Sequence, residues 1–474
     1  MSQRITHTIK YLLTIIVLLV TFGQTLAFGD TPLNVVFILV DDLGWSDLGY
    51  AGSDFYDTPN VDRLASQSVI FRNAYAAAPV CSPTRAAILT GKSPARLDMT
   101  IWHEGAVAGG PKNRKLLAAK SIANLPRTEV TLAERFGDAG YATAHIGKWH
   151  LGTAAFYPET QGFGFHVGGT FWGAPATFFY PFSGKWNDRD PEIRYVPGLG
   201  FGSDGDYLPD RLTDVALEVI EKNRQRPFFL NLWYYTVHSP IEAPAEMVEA
   251  YRKKRPGTHH KDPTYGAMVE RMDFNVGRIL HKLDALKLSD HTIVVFTSDN
   301  GGVDFDQRSI VPTSNAPLRS GKGTLYEGGI RIPLLIRWPG KSAGESNWLV
   351  TSQDFVPTFA ELFRDNSLDT TTLDGESLLP LLDNPAAQLR PRSLYWHFPH
   401  YYPRMTPASA MRNGEWKLIH YYEDDRLELF NLHSDPGEQH NLAAERPSVL
   451  NRLQQELNQW RTSVGANAPT IRTP

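Results

Sequence analysis

The chain has 474 residues, 42% hydrophobic and 21% charged, the balance of a globular protein with room for one large domain and a smaller one. Its 47 Lys and Arg against 51 Asp and Glu leave a formal charge of −4, which excludes the basic field that nucleic acid or an anionic membrane surface attracts. A single cysteine, Cys81, excludes any intramolecular disulfide.

Residues 1–27 read as a signal peptide. Arg4 and Lys10 form a positive start, residues 11–20 an apolar stretch, and Thr25-Leu26-Ala27 a cleavage site. The apolar stretch is too short to favour a stable membrane span. No cysteine follows it to take a lipid, and no Asn-x-Ser/Thr acceptor occurs anywhere. The expectation is an exported bacterial protein, periplasmic or secreted.

The run Val-Val-Phe-Ile-Leu-Val at 35–40 predicts a strand buried on both faces of a parallel sheet, and Asp41-Asp42 follow at once. A helix is expected from Pro59 to Leu64 and a strand over 69–71. Pro83 fits a first helical position, Ala86 to Leu89 are good helix formers, and Gly91 can close the end. Cys81 would then sit just ahead of a short helix, where the positive end favours a thiolate. Next come a helix over 131–139, a strand over 142–146 leading into Lys148 and His150, a helix over 210–223, and a strand over 228–234 leading to His238. A longer helix over 265–286 and a strand over 292–296 lead to Asp299-Asn300, and 333–337 reads as one more strand. Alternating strands and helices predict an α/β fold, a large doubly wound, mostly parallel sheet flanked by helices. From residue 389 the pattern changes to short strands over 394–397, 408–412, 416–421 and 427–430, joined by turns such as Asn413-Gly414, then a helix over 447–460. The expected domains are therefore 28–388, α/β, and 389–474, a small antiparallel sheet with one helix. The basic run Arg252 to Arg255 reads as a solvated loop.

Asp41/Asp42, Lys148/His150, His238 and Asp299/Asn300 each follow a predicted strand by a few residues. Parallel strands place their carboxyl ends on one edge, where ligands bind in such sheets. Taken singly, an Asp-Gly or Asn-Gly pair marks a turn; taken together, these groups predict a site. Asp41, Asp42, Asp299 and Asn300 offer only oxygen ligands, suited to Ca²⁺ or Mg²⁺ rather than zinc. Residues 151–207 carry little periodicity and many aromatics; Trp172 there offers a flat face for sugar stacking, and packing of the loop accounts for it equally. Two other hydrolytic chemistries fail at Cys81. A cysteine phosphatase loop needs Arg six positions on, where Ala87 stands, and Ser82 lacks the G-x-S-x-G elbow.

C-S-P-T-R at 81–85, continued by A-A-I-L-T-G, resembles the signature of type I sulfatases of the alkaline phosphatase superfamily. The resemblance extends to V-D-D-L-G at 40–44, G-K-W-H-L-G at 147–152, H-S-P at 238–240, S-D-N-G at 298–301, R-S-G-K-G-T-L-Y-E-G-G at 319–329 and D-P-G-E-Q-H-N-L at 435–442. It implies that a maturation enzyme converts Cys81 to Cα-formylglycine, whose hydrate is metal ligand and nucleophile. Asp41, Asp42, Asp299 and Asn300 would complete the metal site. Asp299 would accept the attacking hydroxyl's proton, and Arg85 would hold the formylglycine. Lys148 and Lys322 would bind the sulfate, and His238 with Lys322 would protonate the leaving oxygen. His150 would then deprotonate the second hydroxyl to expel sulfate. The implied substrate is a sulfated carbohydrate, with a 4-sulfated galactose or N-acetylgalactosamine expected. The alternatives are a phosphonate monoester or phosphodiester hydrolase sharing C-x-P-x-R, and a sugar-sulfate-binding pseudoenzyme with unmodified Cys81.

Overall fold

The computed structural model describes residues 32–186, 192–307, 310–363 and 368–472; the segment read as a signal peptide lies outside them. In chain order the strands are β1 (Asn34–Val40), β2 (Val69–Tyr75), β3 (Leu116–Leu117), β4 (Ala142–Gly147), β5 (Phe165–Val167), β6 (Ser183–Lys185), β7 (Ile193–Tyr195), β8 (Phe228–Trp233), β9 (Thr292–Ser298), β10 (Leu334–Arg337), β11 (Gly344–Thr351), β12 (Ser393–Phe398), β13 (Ala408–Asn413), β14 (Trp416–Tyr421), β15 (Leu427–Asn431) and β16 (Thr470–Ile471).

Eight of them form one sheet in the order β11-β2-β10-β9-β1-β8-β4-β5. The centre, β9-β1-β8-β4, is parallel throughout, with Val35 to Leu39 paired in register to Phe229 to Trp233 on one side and Ile293 to Thr297 on the other. Only β10 runs against its neighbours β9 and β2, so the sheet is mixed. Every residue of β1 is buried, because both faces are covered. Val36, Ile38 and Val40 pack with helices Leu208–Lys222 and Pro263–Ala285, whose Leu212, Ala216, Met272 and Ile279 fill the same cluster. Phe37 points the other way, edge-on to Phe355 at 4.8 Å, while Phe136 stacks on Phe229 at 4.2 Å. This period-two division is the α/β fold expected from the apolar runs. The basic run Arg252 to Arg255 begins inside helix Ala245–Lys253 rather than in a loop, and its Lys254 pairs with Asp57 at 2.8 Å.

The second sheet, β12-β13-β14-β15, is an antiparallel meander covered by helix Pro447–Ser463 through Leu453 and Leu457. Its other face shares a core with Tyr75 at the end of β2 and with Val80, Leu325 and Ile330 from the connections of the larger sheet. Glu438, from the D-P-G-E motif, is buried there: it accepts the Glu327 amide at 2.7 Å and pairs with buried Lys417 at 2.8 Å. Lys417 also holds Glu327 at 2.9 Å, so the C-terminal motif anchors the loop that carries Lys322. No helix among the described residues is long and apolar enough to cross a membrane.

Two buried histidines make this arrangement acid-sensitive. Burial pushes His397 down to about 4, with Arg461 adding to it, and His400, which bonds Thr100 Oγ1 at 2.8 Å, down to about 3. Both are neutral when folded and take up a proton on unfolding below about 6.5. Stability is therefore complete above that pH and falls on acidification toward 4, by up to about 1.4 kcal/mol per pH unit for each group. Thermal melts from pH 7 to 4 should show this slope, shallower in the His397→Gln, His400→Gln double variant.

Candidate active site

Four of the strands expected to deliver polar groups are the four parallel central ones, so their carboxyl ends meet on one edge. Asp41 and Asp42 leave β1, Lys148 and His150 leave β4, His238 follows β8, and Asp299 and Asn300 leave β9. β2 runs the same way, antiparallel to the strand that is antiparallel to β9, and ends before helix Cys81–Thr90. Asp42 and His150 hold left-handed backbone at φ +60 and +62 degrees, unusual for side chains of this size and a feature of constrained sites. Gly301, beside Asn300, lets the loop approach closely: a Cβ there would lie 1.8 Å from the Gly328 carbonyl oxygen.

Helix Cys81–Thr90 starts after the extended Val80 and closes at Gly91, whose φ of +70 degrees suits glycine. Cys81 is its first residue rather than the one ahead of it, and Pro83 is its third. The missing N–H of Pro83 still costs nothing, because first-turn amides have no partner within the helix. Arg85, four residues on, shares the face of Cys81. It is fully buried, donating Nε to Asp299 Oδ2 at 2.9 Å and Nη1 to the Lys148 carbonyl at 3.0 Å, with Nη2 ion-paired to Asp299 Oδ2 at 2.8 Å.

The carboxylates carry matched cations. Lys148 Nζ meets Asp41 Oδ2 at 2.6 Å, and Lys322 Nζ meets Asp42 at 2.7 Å. Burial nevertheless raises Asp41 to about 8, with Asp299 and Asp42 adding to it against the Lys148 charge. Burial also pushes the Cys81 thiol up to about 12. The expected thiolate at the helix start is thus overridden: desolvation outweighs a helix-end effect worth about 0.3–1 kcal/mol. The thiol sits 3.6 Å from Asp41 Oδ1.

Asp41, Asp42, Cys81 and Asp299 offer ligand atoms all within 4.8 Å of one another. Asn300 donates its amide to Asp42 at 2.9 Å, and its Oδ1 is buried with no hydrogen-bond partner. Three converging carboxylates, with the Asn300 amide held against one of them and its oxygen buried and unpartnered, fit a hard divalent cation.

Above them lies a cleft of about 260 Å³, lined by Cys81, His150, His238 and Lys322 among the expected residues. Lys148 is fully buried behind Asp41 and does not reach it. Trp172 does not reach it either. It is only 7% exposed, packed on Phe171 at 4.0 Å and under the Arg194 guanidinium at 4.8 Å. The flat faces in the cleft wall are Trp102, Trp186 and Tyr402, accompanied by Glu104, Arg194, Ser239 and Gln307. Apart from Ser239 of the H-S-P motif, these belong to stretches without periodicity or motif, and sequence reasoning does not single them out.

Comparison with known proteins agrees with this geometry. The sulfatase family model matches residues 33–365, and a model for the N-sulphoglucosamine sulphohydrolase C-terminal region matches 321–463. A sulfatase of Formosa agariphila is 32% identical, covering 95% of this chain and 92% of its own. The N-acetylgalactosamine-6-sulfatase of Homo sapiens is 30% identical over 95% of this chain and 89% of its own. Among solved structures, Ps i-CgsB in complex with k-i-k-neocarrahexaose superposes with a TM-score of 0.75 at 27% identity, covering 91% of this chain and 93% of that one. With the family matched over most of the chain and its cysteine, carboxylate and lysine residues gathered at one strand edge, this chain belongs to the sulfatase family.

Proposed function

We propose that this sulfatase hydrolyses a sulfate ester of a carbohydrate, with Cys81 converted to formylglycine by a maturation enzyme and a Ca²⁺ or Mg²⁺ ion among Asp41, Asp42, Asp299 and Asn300. The observation that carries the reading is the buried convergence of Cys81 with three carboxylates at the floor of a cleft that also presents Lys322 and two histidines. As formylglycine, position 81 supplies a hydrated aldehyde, one hydroxyl to attack sulfur and a second whose deprotonation lets sulfate go. The cation supplies fixed positive charge that acidifies a hydroxyl and offsets the sulfate oxygens.

The chain's own groups supply the rest. Asp299, held ionised by Arg85 against its burial, accepts the attacking proton. Lys322, at the cleft surface, meets the developing negative charge on the sulfate, with Lys148 adding charge from behind Asp41. His238 serves the leaving oxygen and His150 the release of sulfate. Trp102, Trp186 and Tyr402 present faces on which a sugar ring packs, in a space sized for about one monosaccharide.

The sugar is read as a sulfated galactose or N-acetylgalactosamine. The likeness to an N-acetylgalactosamine-6-sulfatase supports the 6-ester over the 4-ester. Residues 1–27 support action outside the cytoplasm, in the periplasm or beyond the cell. The test has two parts. Intact mass of the peptide bearing residue 81 should show the aldehyde after expression with a formylglycine-generating system. Rates on 4- and 6-sulfated galactosamine and on a phosphodiester should then rank the sulfate esters first; a higher rate on the phosphodiester overturns the reading.

Metal removal gives a separate expected result. Chelation should abolish turnover and lower the melting temperature, and Ca²⁺ at 100 times its Kd should restore about 2.7 kcal/mol. Asp42→Ala removes a ligand and the partner of Lys322, so its melting temperature should no longer respond to Ca²⁺ in calorimetry. Zinc at full occupancy in protein purified without added metal would contradict the oxygen-donor argument.

A further inference from the structure

Glu104 lies in helix His103–Ala108, in a stretch that carries no motif, yet it reaches the site. Its Oε2 is 2.6 Å from His150 Nε2, and its Oε1 accepts the Gly173 amide at 3.1 Å. The nearest competing cation, Arg194, stands 4.0 Å away and stacks on Trp172 and Trp186. The pairing with His150 is held from several sides. Ser82, next to Cys81, donates its hydroxyl to the His150 carbonyl at 2.6 Å and accepts the His103 amide at 3.3 Å. It thereby ties the helix of Glu104 to the loop of His150 beside the nucleophile. The His150 amide donates to the Thr170 carbonyl at 3.0 Å, and a Cβ on Gly173 would lie 2.4 Å from His150 Cε1. The imidazole is thus clamped with Nε2 on the carboxylate. Its other nitrogen, Nδ1, is buried with no partner, in the ring that lines the same cleft as Cys81.

We propose that Glu104 is a positioning residue that holds His150 in the Nε2–H tautomer, leaving the Nδ1 lone pair as the base toward position 81. A carboxylate can only accept at Nε2, so the proton belongs there and Nδ1 is left bare. Burial keeps His150 down at about 4, and the neighbouring His150 ring, with the hydrogen bonds that Glu104 accepts from Nε2 and from the Gly173 amide, holds Glu104 below the usual carboxylate range despite its own burial. Both agree with a neutral ring beside an ionised carboxylate. This role rests on the formylglycine reading for its chemistry. There, the second hydroxyl at position 81 gives its proton to Nδ1, its O–H pair becomes the C=O, and the C–O bond to sulfate breaks, the pair leaving on sulfate.

Glu104→Gln separates positioning from packing. Gly173 N–H continues to require an acceptor, so the amide oxygen faces Gly173 and the NH₂ faces His150 Nε2. That arrangement forces the imidazole proton to Nδ1 and removes the base without removing the ring. Nitrogen-15 spectra of histidine-labelled, unmodified Cys81 protein near pH 7 should show His150 protonated at Nε2 in the wild type and at Nδ1 in Glu104→Gln, with little change in melting temperature. In matured protein, Glu104→Gln should lower kcat by about 10²- to 10⁴-fold with KM little changed, and Glu104→Asp should recover part of the loss. A proton that stays on Nε2 in Glu104→Gln, or an unchanged kcat in active enzyme, overturns the proposal. The spectra use the unmodified chain, so they decide the placement of Glu104 even if the matured wild type releases no sulfate and the functional reading falls.

Discussion

Cys81→Ala is expected to fold normally and to lose turnover by at least about 10⁶-fold, the low end of enzymatic acceleration. Removing one buried heavy atom costs about 1 kcal/mol, and the helix that carries it is held by Arg85, Thr84 and Gly91 rather than by the thiol. Chemistry, by contrast, has no substitute at that position. The thiol is pushed up to about 12, so at neutral pH it is neither a thiolate nor a competent nucleophile. Unmodified Cys81 protein should therefore be as inactive as Cys81→Ala. Cys81→Ser should also fail to turn over, because a serine sulfate ester has no second hydroxyl to expel the sulfate. Sulfate release by ion chromatography, alongside thermal melts, checks all three. Near-normal activity in Cys81→Ala would end the assignment of the nucleophile.

The parts of the site that end central strands are legible in the sequence, for a physical reason. A parallel strand covered on both faces reads as a continuous apolar run, and the polar residue that breaks it must lie at the carboxyl edge. Asp41, Lys148, His238 and Asp299 follow such runs, and the structure gathers them there. The direction of β10 is not legible, since a four-residue apolar strand carries no mark of which way it pairs. Trp172 and Trp186 show the same limit at the level of side chains. Both lie in the aromatic stretch and both lie against the Arg194 guanidinium, yet Trp172 is buried on Phe171 while Trp186 faces the cleft, a difference set by tertiary packing. Glu104 is a single acidic residue in a short helix that carries no motif, and its meaning comes from the histidine 46 positions away. The thiol's state depends on burial, which the motif around Cys81 does not express.

The two histidines should separate by substrate. His238 donates Nδ1–H to the Ser239 carbonyl at 2.7 Å, leaving Nε2 toward Asp42 Oδ2 at 3.6 Å. Burial, then the Lys322 charge, pushes it down to about 3, so the resting ring is neutral. A sulfate ester bound at Lys322 brings a negative charge that offsets the lysine, favouring a proton on Nε2 when the leaving oxygen needs one. That help matters for a sugar hydroxyl, a poor leaving group, and little for an activated aryl sulfate. His238→Ala should therefore slow the sugar sulfate by about 10²- to 10⁴-fold more than the aryl sulfate. In the proposed mechanism His150 acts after the leaving group has gone, so His150→Ala should slow both substrates alike and leave added sulfate mass on the peptide bearing residue 81. Glu104→Gln should show the same retained mass, since it disables the same nitrogen. Equal losses on both substrates in His238→Ala would remove His238 from the leaving oxygen, and a clean peptide in His150→Ala would take the release step away from His150.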